Sequence, residues 1–172
     1  MSKAWPVNGV KADRPLGDTA RRILGVRVAE VYSYRPIIHR PEAREETHAL
    51  RIALKRLRYT LELFTSVFGD AGTTQIERVK AFQETLGDLH DIDVRLDLIQ
   101  AVADRHERKR TSDRHRDEDA IGAGLARYAA REQTRRRDLH RHFVQQWTGY
   151  QQAGMRRDLV GLSQSPADRL GR

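Results

Sequence analysis

Proline occurs only at Pro6, Pro15, Pro36, Pro41 and Pro166, so residues 42 to 165 lack the one residue that breaks a helix from inside. Arg, Leu, Ala, Glu and Gln dominate that stretch, and these are good helix formers. The few β-branched residues fall at helical rather than alternating spacing, so no strand is expected. The chain has 172 residues, enough for one domain with a real core and too few for two of medium size. The expected fold is all-α, a bundle of four long helices.

The punctuation sets the order of elements. Residues 1–17 hold two of the prolines and no sustained period, which reads as a flexible N-terminal arm. A first helix is expected from an Asp18 N-cap to about Tyr34, ahead of Pro36. A second runs from near Pro41 to Phe68, where Gly69 supplies a stop. The capping-box spacing Thr74-x-x-Glu77 opens a third, through Leu86, Val94 and Leu98 toward Asp104. Residues 104–119 carry six Lys/Arg and six Asp/Glu and read as a solvated turn. A fourth helix spans about Ala120 to Tyr150, with Leu125, Tyr128, Leu139, Phe143 and Trp147 as its apolar stripe. A short helix over Met155–Leu162 follows. The bundle is thus 18–165, with 166–172 as a tail.

Composition removes several classes of function. Charged residues make up 33% of the chain and hydrophobic ones 38%, and apolar runs break within a few residues, so no membrane span is expected. Met1–Val10 has no apolar signal-peptide segment. The absence of cysteine excludes disulfides, thiolate metal sites and thiol nucleophiles, and fits a reducing cytoplasm. A net charge of +8 favours a polyanion partner only in general terms, so the placement of the charges has to decide.

On the second helix, Leu50, Ala53, Leu54, Leu57, Leu61, Phe64 and Phe68 share an arc of about 100° that forms the core face. Beside it Arg44, His48, Arg51, Lys55 and Arg58 recur at intervals of 4, 3, 4 and 3 residues. They form one strip about 20 Å long. Like charges at that spacing repel by a few tenths of a kcal/mol per pair. An extended polyanion offsets this, because each phosphate meets a guanidinium or ammonium. The competing reading is a solvated or internally paired face, with Glu45, Glu46 and Glu62 nearby to absorb charge.

Elsewhere, His90, Asp93 and Asp97 share a face of the third helix. They are read as counterions for arginines of facing helices rather than as metal ligands, since no further ligand converges on them. Gly87 is read as a point of close helix approach. The fourth helix carries a second basic strip, Arg127, Arg131, Arg135 and His142. Arg27 and Glu30 on the first helix and Arg136 on the fourth fall on inward faces, which predicts a partly charged interior groove.

His48-x2-Arg51-x3-Lys55-Arg56-Leu57-Arg58-Tyr59, followed by Leu86-Gly87-x2-His90-Asp91-x-Asp93-Val94, resembles the CHAD family, the conserved histidine α-helical domain. The likeness is strongest over 42–98 and looser over Gly124–Trp147. It implies a helical bundle that binds inorganic polyphosphate through a basic channel, without catalysis or a cofactor, in association with polyphosphate granules. Residue by residue it assigns His48, Arg51, Lys55 and Arg58 to the basic helix and Lys80 to a preceding lysine position. Asp91 takes a structural acidic one. With Arg44, Arg27, Arg131 and Arg135 these make the expected polyphosphate-binding set. Family members usually carry two helical repeats, whereas this sequence has one His-x2-Arg motif, so a homodimer is expected to complete the channel.

Three other functions compete. Nucleic acid offers the same phosphate spacing, but aromatic residues are 6% of the chain and only Tyr59 borders the strip, which leaves no stacking platform. A phosphate-ester hydrolase would need a glycine-rich cradle or an inward acidic cluster. A purely structural bundle would carry its charge for solubility alone.

Overall fold

Five α-helices and one 3-10 turn follow one another in the computed structural model, which describes residues 3–110 and 116–164. They are α1 (Leu16–Tyr32), the 3-10 turn Arg35–Ile37, α2 (Arg44–Leu63), α3 (Thr65–Arg110), α4 (Arg116–Gln152) and α5 (Met155–Gln164). No strand occurs among the described residues. α2 and α3 form a tight antiparallel pair, α4 returns along α3, and α1 packs on α2 and α5.

The predicted α2 stripe is the centre of the core: Leu50, Ala53, Leu54, Leu57 and Leu61 are fully buried. It meets Leu24 and Val28 of α1 and Val79, Phe82, Leu86 and Leu89 of α3. The far side is closed by Phe143 and Trp147 of α4 and by Met155 and Leu159 of α5. Phe82 joins these layers, with the Phe143, Trp147 and Tyr150 rings at 5.9, 5.6 and 5.1 Å in tilted or edge-on contact.

Helix ends depart from the punctuation of the sequence. α1 starts at Leu16, behind an extended Pro15, so Asp18 is not the cap but an acidic residue of the first turn, where it suits the helix dipole. α2 ends at Leu63, because Phe64 leaves helical geometry, and α3 begins at once. Gly69 bends α3 rather than ending α2, with φ 53° and ψ −148°, a conformation open essentially to glycine alone. Thr74 does not cap anything: it sits inside α3, and its hydroxyl donates to the Asp70 carbonyl at 3.1 Å. The expected turn over 104–119 is largely helix, since α3 persists to Arg110 and α4 starts at Arg116. Residues 111–115 of that turn and the 166–172 tail lie outside the described residues.

The N-terminal arm has no helix from residue 3 to Pro15, yet it touches α1. Arg27 donates to the Trp5 carbonyl at 3.2 Å and Arg22 to that of Asn8 at 3.5 Å. On α4 only Phe143 and Trp147 of the predicted stripe are buried, while Tyr128 is exposed. Toward the α3–α4 tip Val94, Leu98, Val102 and Ile121 are exposed as well.

The inward charges form closed pairs, not an interior groove. Glu30, 1% exposed, accepts from Arg27 at 2.7 Å and from Arg56 at 2.6 Å. Arg136 binds Asp93 at 2.6 Å and donates to the Pro41 carbonyl at 2.6 Å, and Arg95 holds Glu132 at 2.9 Å. Arg27–Glu30 lies within α1, and the other pairs cross from one helix to another; pairing of this kind is how buried charge is tolerated. Asp93 thus has the counterion role expected of it. Asp91, given a structural role by the resemblance, is exposed and has no ion pair with a described residue.

Candidate functional site

Antiparallel pairing of α2 and α3 sets the basic strip against one edge of α3. Three contacts give the register. Arg44 reaches Asp93 and Asp97, both at 3.1 Å. The His48 and His90 rings lie 4.6 Å apart and 39° tilted. A Cβ built on Gly87 would stand 4.0 Å from Arg51 Nε. A Cβ there would make only ordinary contact with the arginine side chain, and no backbone atom of another helix comes within 4 Å, so the close helix approach expected at Gly87 does not occur. The same register sets Gln83 opposite Lys55 and Lys80 opposite Arg58.

The strip is neutralised at its ends and open in its middle. At one end Arg44 is spanned by two carboxylates. At the other, Arg58 stands 3.4 Å from Glu62 and lies 5.0 Å over the Tyr59 ring, while Lys80 is held by Glu77 at 2.8 Å. Between them His48, Arg51 and Lys55 have no ion pair with a described residue. Arg51 Nε and His48 Nδ1 are buried without a hydrogen-bond partner, and so is Arg58 Nε at the margin, whose contact with Glu62 is an ion pair without a hydrogen bond. The neighbouring Gln83 Nε2 is in the same condition. Sequence reading passed over Gln83 because an uncharged helical glutamine gives no signal of its own. Buried polar groups of this kind are uncommon and call for an explanation. At the Arg44–His48 end a cleft of about 820 Å³ opens, bounded also by Tyr34, His90 and Val94.

Three members of the expected set lie elsewhere. Arg27 is the structural partner of Glu30, with its side chain 12% exposed, and is not available to a ligand. Arg131 and Arg135 are exposed on α4, which packs along α3 rather than beside the α2 strip. His90, read with Asp93 and Asp97 on one face, stacks on His48 while arginines take both carboxylates. No group of three metal-ligating side chains occurs among the described residues.

Burial, followed by the neighbouring His90 and Arg51 charges, pulls the His48 pKa below its ordinary 6.5. His140 is lowered likewise, by burial and then by Arg136. The unfolded chain therefore takes up protons that the folded chain refuses, and the folded state is fully favoured only above about pH 6.5. Thermal melts should show stability falling as pH drops through 6.5 and on through the lower folded-state values. His48→Gln should flatten part of that slope, and a slope unchanged in that variant would assign the effect elsewhere.

An all-α module presenting a cationic helix face with an unneutralised centre is the class that fold and site define. The CHAD domain family model matches residues 3–100, more than half of the chain, and the chain belongs to that family. The match takes in the N-terminal arm, α1, α2, the Gly69 bend and most of α3, and so contains the whole strip. The looser likeness over Gly124–Trp147 lies beyond it. No curated protein and no solved structure matches the chain.

Proposed function

We propose that the protein is a non-catalytic module that binds inorganic polyphosphate along the α2–α3 edge, through His48, Arg51 and Lys55 with Arg58, Arg44 and Lys80 at the margins. The observation that carries this reading is the contrast along one strip. Arg27, Arg56 and Arg136 have carboxylates in the fold, whereas Arg51, with His48 and Lys55 beside it in the middle of the strip, has none. A chain of phosphates supplies acceptors at that spacing and satisfies Arg51 Nε and His48 Nδ1 together. The engagement of Asp93 and Asp97 by arginine leaves no free carboxylate pair there for a hydrolytic metal, which supports binding over hydrolysis. Within the cell this reading places the protein in the cytoplasm, at polyphosphate granules.

Nucleic acid is the second reading, since its backbone offers the same charge. Against it, the strip offers no row of rings for successive bases, only Tyr59 beside Arg58 at one end and Tyr34 at the cleft at the other. Titration of polyphosphate and single-stranded DNA of equal charge, at two salt concentrations, separates the two. Polyphosphate should bind more tightly, with a steep salt dependence from counterion release and no loss in EDTA. Equal affinity for DNA would overturn the assignment. Because phosphate favours the protonated ring, affinity should rise as pH falls below 6.5, opposite to the stability of the free protein.

The strip surrounds an anion on one side only, and on this reading a homodimer encloses it. Val94 borders the cleft, and the exposed line Val94, Leu98 and Val102 continues along α3, with Leu98 64% exposed. A second copy seated on this line buries apolar surface and brings two strips together, while their mutual repulsion is relieved by the anion. Light scattering should show a dimer, formed or strengthened by short polyphosphate. A monomer of about 20 kDa with one-to-one binding would overturn it.

A further inference from the structure

A second cleft, of about 840 Å³, lies where α1 ends and α5 begins, and none of its lining residues belongs to α2 or α3. Its walls come from Tyr32, the Arg35–Ile37 turn, the end of α4 from Trp147 onward and the first turns of α5. Volumes in this range suit a small organic molecule. Its lining contains three arginines, Arg35, Arg156 and Arg157, and no acidic residue, in a chain with 24 Asp and Glu. The α2–α3 cleft, by contrast, includes four acids in its lining.

The cleft also has what an inorganic polyanion would not use. Tyr32 and Trp147 pack at 5.6 Å, and with Ile38 and Val160 they form an apolar wall. The Arg156 guanidinium lies 5.3 Å over the Tyr32 ring. Such a cation–aromatic platform accepts a further flat ring by stacking. The Tyr32 hydroxyl donates to Gln151 Oε1 at 3.0 Å, which fixes the amide and leaves Gln151 Nε2 buried without a partner. Arg157 is paired with Asp158 at 3.1 Å, whereas Arg35 and Arg156 have no ion pair with a described residue. A fixed donor, a stacking surface that includes Arg156, and two guanidinium groups without a carboxylate partner, Arg35 and Arg156, thus line one space.

We propose that this cleft binds a nucleoside phosphate, with the base against Tyr32 and Arg156, a base acceptor on Gln151 Nε2, and the phosphate on Arg35 and Arg156. The site is separate from the polyphosphate strip and stands or falls independently of it. The aromatic wall gives the test its reporter. The chain has two tryptophans, Trp5 and Trp147, so full-length protein carrying Trp5→Phe reports Trp147 alone. Titration with adenosine monophosphate should change Trp147 fluorescence saturably and raise the melting temperature. Arg35→Ala with Arg156→Ala should weaken binding by about tenfold or more through loss of the charge-assisted bonds. Arg51→Glu with Lys55→Glu should leave it unchanged. No response by fluorescence or by melting up to about 10 mM would overturn the proposal, since that bounds any specific affinity. Inorganic phosphate or tripolyphosphate competing as well as the nucleotide would also overturn it, by showing a site for charge alone. So would an undiminished affinity in the Arg35/Arg156 variant.

Discussion

Arg51→Glu with Lys55→Glu should lower affinity for polyphosphate by about 100-fold or more, because each lost phosphate contact weakens binding and each new carboxylate repels the chain. The effect should be this large because these two residues sit where the strip has no counterion of its own. Neither lies in the core, and neither takes part in an ion pair that holds helices together, so helicity should persist and melting should shift by only a few degrees. Arg131→Glu with Arg135→Glu is the matched control. It changes net charge equally, at exposed positions of α4 outside the strip itself, and should weaken binding only slightly. Equal losses from both variants would mean a diffuse field rather than a site, and an intact isotherm for the first would remove the strip from the function.

The largest effect on stability should come from Glu30. Its carboxylate is 1% exposed and answers two guanidinium groups from different helices, so Glu30→Ala removes the carboxylate they share at the α1–α2 interface. Breaking a buried pair in this way costs about 3 kcal/mol, at the lower end of the usual range because the arginine side chains keep some solvent contact. Urea unfolding should show that loss, while Arg131→Glu should be near neutral. A change below about 1 kcal/mol would show that solvent already compensates the pair. Polyphosphate should partly restore the variant's melting temperature, since ligand that binds only folded protein stabilises it by mass action.

How much of this was legible before the structure follows from the range over which each cause acts. The α2 stripe and the 4, 3, 4, 3 ladder were visible because helical periodicity is local and the composition offers no competing pattern. Counterion choice was not visible. Arg44 meeting Asp97 while Arg51 meets none depends on how α3 slides along α2, and no window of sequence contains that offset. Arg27 was misassigned for the same reason: an inward arginine looks identical whether its carboxylate waits on the next helix or arrives with a ligand. The Thr74 error is different. A threonine followed by glutamate three residues later occurs equally well inside a helix when the hydroxyl bonds back to the preceding turn, so the local pattern fits both positions. Gly69, expected to stop the second helix, instead separates α3 from its own first turn, because Phe64 has already ended α2.

That glycine makes chain length a constrained quantity. Adding one residue between Gly69 and Val79 would turn the remainder of α3 by about 100° about its axis. Gly87 would no longer underlie Arg51, and His90 would leave His48, although every side chain named in the strip would still be present. Substitutions on the strip therefore act one rung at a time, whereas a single insertion or deletion beyond the bend would disable all rungs together. Among relatives, the interval from this bend to the glycine under the arginine should tolerate changes of residue far better than changes of length.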